Sequence, residues 1–253
     1  MTSDHDIARR ALRLLDLTNL DDDCKESVID DLCARAVTPH GSVAAICIWP
    51  RFVAQAKPLV AQSGVRIATV INFPHGSEDI ERAIGDARGT LRDGADEIDL
   101  VMPYRALIED RIAPVTDMIG AVADVTRGNA RLKVILETGA LQTPQLIAQA
   151  SDLAIAAGAD FIKTSTGKIP VSATPEAARI MLQAIKASGK PVGLKPSGGV
   201  RSVHDARKYL ELADDIMGAG WTTPETFRFG ASGLLASLLA TLDGRDHNNT
   251  STY

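Results

Sequence analysis

The sequence predicts an α/β chain folded as a single (β/α)8 TIM barrel, with a short N-terminal helix and a flexible C-terminal tail. Eight short apolar runs alternate with amphipathic stretches from one end of the chain to the other. The length of 253 residues matches the roughly 250 typical of one such barrel. No Gly-x-Gly-x-x-Gly follows an early run, which argues against a doubly wound dinucleotide-binding sheet.

The strand-like runs are 14–18, 43–48, 66–73, 97–102, 132–137, 160–164, 192–195 and 227–230. Helix-like stretches include 77–93, 144–157, 175–188, 204–216 and 233–242. Several open on a start signal: Ser77 before Glu78-Asp79, Thr143-Pro144, and Thr174-Pro175-Glu176. Two close at a glycine that turns into the next strand, Gly94-Ala95-Asp96 and Gly158-Ala159-Asp160. No linker or composition break interrupts the series, so residues 1–253 read as one domain. The polar stretch 243–253 reads as a mobile tail.

Hydrophobic content of 45% with 23% charged residues is that of a globular protein. A net charge of −5 argues against nucleic acid or an anionic membrane as partner, but leaves room for a local basic pocket. Cys24, Cys33 and Cys47 form no Cys-x-x-Cys pair, so free thiols in a reducing cytoplasm are expected. The first residues lack a basic and an apolar segment, and no run approaches the ~18 apolar residues of a membrane span. His5, His40, His75, His204 and His247 are scattered and no His-Glu-x-x-His occurs, so neither metal nor cofactor is expected. His75 reads as a loop-shaping residue.

Barrel strands point side chains alternately inward and out under the helices. Leu15 and Leu17 oppose Asp16 and Thr18, while Ile98, Leu100 and Met102 oppose Glu97, Asp99 and Val101. Leu132, Val134 and Leu136 oppose Lys133, Ile135 and Glu137. Ile162 and Thr164 oppose Phe161, Lys163 and Ser165; Val192 and Leu194 oppose Gly193 and Lys195. The apolar faces must meet the helices. Asp16, Asp99, Lys133, Lys163 and Lys195 therefore share one interior, most of them towards the C-terminal rim where barrel active sites form. One such charge alone is as readily half of a structural ion pair, but five on one parity favour a site.

Buried ammonium groups are costly to desolvate. Lysine is also the usual Schiff-base residue, and a neighbouring cation can make its amine nucleophilic at neutral pH. Lys163 and Lys195 fall on adjacent strands ~4.8 Å apart. Two ammonium groups at ~4 Å repel by about 4 kcal/mol at an effective dielectric near 20. That could lower one pKa by as much as ~3 units. Asp16 and Asp99 oppose the shift and supply acid–base partners. Parity does not say which lysine is the nucleophile.

Ser165-Thr166-Gly167-Lys168 follows the sixth run, Gly198-Gly199 the seventh, and Gly230-Ala231-Ser232-Gly233 opens the last helix. Backbone amides at glycine turns and helix N-termini bind phosphate, and the loops after strands seven and eight are the usual barrel phosphate site. With Lys168 they point to a phosphorylated small-molecule substrate.

At these same residues the chain resembles the deoxyribose-phosphate aldolases. The motifs are 160–168 (Asp-Phe-Ile-Lys-Thr-Ser-Thr-Gly-Lys), 193–201 (Gly-Leu-Lys-Pro-Ser-Gly-Gly-Val-Arg) and 94–99 (Gly-Ala-Asp-Glu-Ile-Asp). Leu15-Asp16-Leu17-Thr18, 44–48, Asn72-Phe73-Pro74-His75-Gly76, 228–232 and the terminal Tyr253 extend the likeness over essentially the whole chain. The resemblance implies a class I aldolase that reversibly cleaves 2-deoxy-D-ribose 5-phosphate to D-glyceraldehyde 3-phosphate and acetaldehyde. It further implies Lys163 as the Schiff-base lysine, Lys195 as the neighbour that depresses its pKa, and Asp99 as the proton-transfer residue acting through an ordered water. Asp16, Thr18 and Lys133 fall in the surrounding hydrogen-bond network, Thr18 and Cys47 count among the substrate-binding residues, Tyr253 helps protonate the enamine carbon, and a homodimer is compatible. Gly233 stands where many relatives carry a second serine beside Ser232, Trp49 replaces a tyrosine, and Ser197 replaces a frequent alanine.

Three other readings compete. A transaldolase-type barrel would keep the Schiff-base lysine but accept a ketone donor. A phosphosugar isomerase or epimerase would share the glycine loops, yet rely on carboxylates or metal. A non-enzymatic phosphosugar-binding barrel would need neither lysine.

Overall fold

The computed structural model describes residues 2–245 of the chain. The expected barrel is present. Its strands are β1 (Leu15–Asn19), β2 (Ala45–Ile48), β3 (Arg66–Ile71), β4 (Glu97–Val101), β5 (Arg131–Ile135), β6 (Phe161–Lys163), β7 (Gly193–Lys195) and β8 (Phe229–Ala231). All neighbouring pairs from β8 through β1 to β7 are parallel. Bridges between Leu194 and Phe227 and between Ser197 and Gly230 join the two remaining edges. Among the described residues, closure leaves no free edge in the barrel sheet.

Side-chain chemistry sets the helix boundaries. Thr143 and Thr174 each accept a hydrogen bond from the third residue beyond, with proline at the first helical position, and start the helices Pro144–Ala156 and Pro175–Ser188. Ser202 and Asp205 form a reciprocal capping box at the head of Val203–Met217. The helix expected from Ser77 begins later, at Ile80–Asp93, capped by Asp79. Ser77 is already engaged: its amide and hydroxyl both donate to Asn72 Oδ1, at 3.0 and 2.6 Å. The N-terminal helix Asp4–Arg13 is capped by Ser3 and tied to the barrel by a bidentate Arg10–Asp214 pair. Cys33 lies within the helix Glu26–Arg35 whereas Cys24 precedes it, and all three cysteines are free thiols. A small hairpin, Val37–Thr38 with Gly41–Ser42, stands outside the barrel sheet.

Strand parity divides the buried residues as expected. Leu15, Leu17, Ile98, Leu100, Leu132, Val134, Ile162 and Leu194 belong to the main core beneath the helices. A second, smaller apolar cluster of Ala45, Cys47, Ala68 and Val70 lines the interior on β2 and β3. The barrel interior is thus apolar and small on one side. The other side is left to charged groups. Among the described residues no helix is long and apolar enough to cross a membrane.

Candidate active site

The five expected charges meet inside the barrel, each buried. Lys163 and Lys195 end β6 and β7 and stand directly opposite each other in register. Asp99 and Lys133 are likewise paired, one layer lower on β4 and β5. Asp99 is the hub. Its Oδ1 accepts from Lys133 Nζ at 2.7 Å, and its Oδ2 accepts from both Lys163 Nζ and Lys195 Nζ at 2.8 Å. Asp16 accepts from Lys195 Nζ at 2.5 Å.

Two further charges complete the cluster. Arg228, just before β8, is fully buried and donates to Asp16 Oδ1 at 2.6 Å and to Glu97 Oε1 at 2.7 Å. Glu97 also accepts from Lys133 at 2.7 Å. Glu97 shares the inward parity of Asp99, and Arg228 sits between two phenylalanines in a strand-like run; these are the signals by which sequence reasoning could have included them. The guanidinium of Arg228 lies 5.8 Å from the Phe161 ring centroid. That ring occupies the space left by Gly193, where a Cβ would sit 2.4 Å from Phe161 Cε1.

The lysines are electrostatically unequal. Burial pushes the Lys163 amine down; Asp99 pulls it back up, Lys195 pushes it down again, and the net lies below the usual lysine value. Burial acts the same way on Lys195, but Asp16 and Asp99 together outweigh it and hold that ammonium above the usual value. Burial, rather than repulsion from Lys195, is therefore the leading cause of the Lys163 shift. Burial alone would raise Asp99 and Asp16, yet the surrounding cations outweigh it and hold both below the carboxylate range.

Around this centre, Thr18 is half-buried and donates to the Asp16 carbonyl at 2.8 Å. Cys47 is buried with its Sγ 4.0 Å from Asp99 Oδ2, and burial pushes its thiol up. Glu137, unassigned by sequence reasoning, is buried in a left-handed conformation at φ 57° after β5. Its carboxylate accepts from the Thr166 hydroxyl at 2.5 Å, and that hydroxyl accepts from the Lys168 amide at 3.0 Å. Thr166 thereby shapes the turn through Gly167.

The glycine loops sort into two groups. The Gly198 amide donates to the Gly230 carbonyl at 3.2 Å, and the Gly230 amide to the Pro196 carbonyl at 2.9 Å. A Cβ on Gly230 would meet Ser197 Oγ at 2.2 Å and Lys195 Cε at 3.1 Å. Gly230 therefore makes room for Lys195 instead of offering a free amide. Among the described residues, the amides of Gly167, Gly199, Ser232 and Gly233 have no intramolecular acceptor; the last two lead into the helix Leu234–Leu242. Lys168 reaches towards β1 and β2, with Nζ 3.2 Å from Asp22 and 5.9 Å from the Trp49 ring centroid. Tyr253 lies outside the described residues.

A buried lysine amine driven below its usual value is suited to imine chemistry, and comparison with known proteins points to an aldolase. Residues 10–240 match the model of the DeoC/LacD family of aldolases. The chain belongs to that family. This aldolase is 54% identical to a deoxyribose-phosphate aldolase of Agrobacterium fabrum over 238 residues, 94% of this chain and 92% of the relative. The barrel also superposes on a solved structure from Coccidioides immitis with a TM-score of 0.83 at 30% identity, covering 92% of this aldolase and 86% of the other chain. A deoxyribose-phosphate aldolase from Aeropyrum pernix, described as tetrameric, gives a TM-score of 0.76 at 27% identity, covering 95% and 93% of the two chains.

Proposed function

We propose that this aldolase reversibly cleaves 2-deoxy-D-ribose 5-phosphate to D-glyceraldehyde 3-phosphate and acetaldehyde through a Schiff base on Lys163, as a one-domain cytoplasmic enzyme able to form a homodimer. The observation that carries the assignment of the nucleophile is the asymmetry of the lysines. Lys195 is held by two carboxylates and stays protonated, whereas Lys163 has Asp99 alone and its amine is driven towards neutrality.

The neutral Lys163 amine attacks the C1 aldehyde, and loss of water gives a protonated imine. Removal of the C3 hydroxyl proton then breaks the C2–C3 bond. Its electron pair passes into the imine to form an enamine, and glyceraldehyde 3-phosphate leaves. Protonation at C2 and hydrolysis release acetaldehyde and regenerate the amine. Lys163 becomes cationic on forming the imine, and Asp99 at 2.8 Å is placed to stabilise that charge. The Lys195 ammonium, anchored by Asp16, supplies a fixed donor beside the reacting carbon.

Gly167, Gly199, Ser232 and Gly233 offer unpaired amides for the substrate phosphate. Lys168 supplies a cation whose partner Asp22 is 85% exposed, so the pair is weak and exchangeable. Lys168→Met is expected to raise KM for the phosphorylated sugar about tenfold, the equivalent of one charged hydrogen bond of ~1.5 kcal/mol. Unphosphorylated 2-deoxyribose should be turned over as before. Steady-state kinetics with both sugars check this, and an equal loss on both would remove Lys168 from phosphate binding.

Borohydride reduction in the presence of acetaldehyde tests the whole reading. Mass spectrometry is expected to find a reduced two-carbon adduct on Lys163. An adduct on another lysine, or trapping by ketones in preference to acetaldehyde, would replace the proposal.

A further inference from the structure

The buried cluster holds four cations, Lys133, Lys163, Lys195 and Arg228, against three carboxylates, Asp16, Glu97 and Asp99. A low-dielectric interior strongly disfavours a net charge, so one cation is surplus. Arginine does not give up its proton in proteins. Lys133 contacts Glu97 and Asp99 at 2.7 Å and approaches Asp16 at 3.7 Å, while Lys195 contacts Asp16 and Asp99. Lys163 has one carboxylate, and shares that oxygen with Lys195. The surplus falls on Lys163.

We infer that Arg228 and Glu97, at the floor of the barrel, are positioning residues that set the ionisation of Lys163 by fixing the charge balance of the cluster. The inference rests on Lys163 being the Schiff-base lysine. Arg228 contacts neither Lys163 nor the space above it; it acts through Asp16, which grips Lys195, and through Glu97, which grips Lys133. With Arg228 satisfying one carboxylate permanently, two lysines suffice for the rest and the third is free to be neutral.

The other groups around these residues fit the count. Facing Lys163 are Asp99 from β4, Lys195 from β7 and the neutral thiol of Cys47 from β2. Glu137, after β5, makes no ion pair with the cluster among the described residues: its carboxylate accepts from the Thr166 hydroxyl and amide, and the charges of Glu137 and Lys163 act on each other only beyond contact distance. Facing Arg228 are Asp16, Glu97, the Pro224 carbonyl and the Phe161 ring. Arg66 approaches Glu97 at 3.7 Å from the lower mouth, but is 43% exposed and its charge is solvated.

The test is the pH dependence of imine formation with acetaldehyde, quenched by borohydride and quantified on Lys163. Arg228→Met leaves three cations for three carboxylates, so Lys163 should hold its proton and the acid limb should move up by about one pH unit or more. Arg228→Lys should keep the wild-type limb. Glu97→Gln alone enlarges the surplus and should move the limb to lower pH. Glu97→Gln combined with Arg228→Met restores one surplus cation, and should return the limb towards its wild-type position. An unshifted limb in both single variants, or a double variant no closer to wild type than Arg228→Met, overturns the inference. If Arg228→Met does not fold, Glu97→Gln decides alone by the direction of its shift. A wild-type adduct absent from Lys163 would instead overturn the Schiff-base reading, so the two failures are distinguishable.

Discussion

Lys163→Met is expected to abolish cleavage and leave the folded protein as stable as the wild type, or more so. Loss of a covalent nucleophile removes the imine pathway altogether, and the rate should fall by at least about 10⁴. The stability half is less usual for a buried ion-pair partner. Removing one member of a buried pair generally costs about 3–5 kcal/mol, because the other charge is left uncompensated. Here Asp99 keeps Lys133 and Lys195 after Lys163 is gone. A cation whose own burial is unfavourable is replaced by an apolar side chain of similar length. Single-turnover assays with borohydride trapping measure the first effect, and denaturant midpoints at pH 7 the second. A stability loss as large as that of a paired cation would show that Lys163 is protonated at rest, contrary to its proposed role.

The barrel and five of its interior charges were legible because both depend on local periodicity. Alternation in 97–102 and 132–137 sends Asp99 and Lys133 inward whatever the rest of the chain does, and threonine–proline pairs at 143–144 and 174–175 start helices by capping alone. Ser77 failed as a start signal because Asn72 competes for it across a turn. The difference between the lysines was not legible for a related reason. It depends on Asp16 reaching Lys195 from 179 residues away, and on Arg228 meeting Glu97 over a separation of 131. Such pairings cross the barrel, and no repeat in the sequence encodes them. Gly230 illustrates the same point: its motif suggests a phosphate loop, but clearance for Lys195 is visible only once the end of β7 and β8 are side by side.

Asp99→Ala should be the most damaging single change to the cluster, in stability and catalysis alike. Three lysines share this carboxylate, and it is fully buried. Its removal leaves two carboxylates facing the three cations Lys133, Lys195 and Arg228, an imbalance that water cannot screen. The expected cost is about 3–5 kcal/mol, or roughly 10 °C in Tm for a chain of this size. Turnover should fall by about 10²–10⁴ through lost stabilisation of the imine. The pH dependence separates this from a simple packing defect. In the folded protein the Asp99 carboxyl is held well below its unfolded value near 3.9, so its stabilisation is present above about pH 4 and disappears as pH falls. Wild type and Asp99→Ala should therefore differ most at neutral pH and converge in acid. A cavity left by a lost side chain would cost the same at every pH. Denaturant melts followed from pH 7 down to about pH 2, through the folded-state titration, decide between the two, and a gap still constant at the lowest pH would mean that Asp99 contributes volume to the barrel rather than charge.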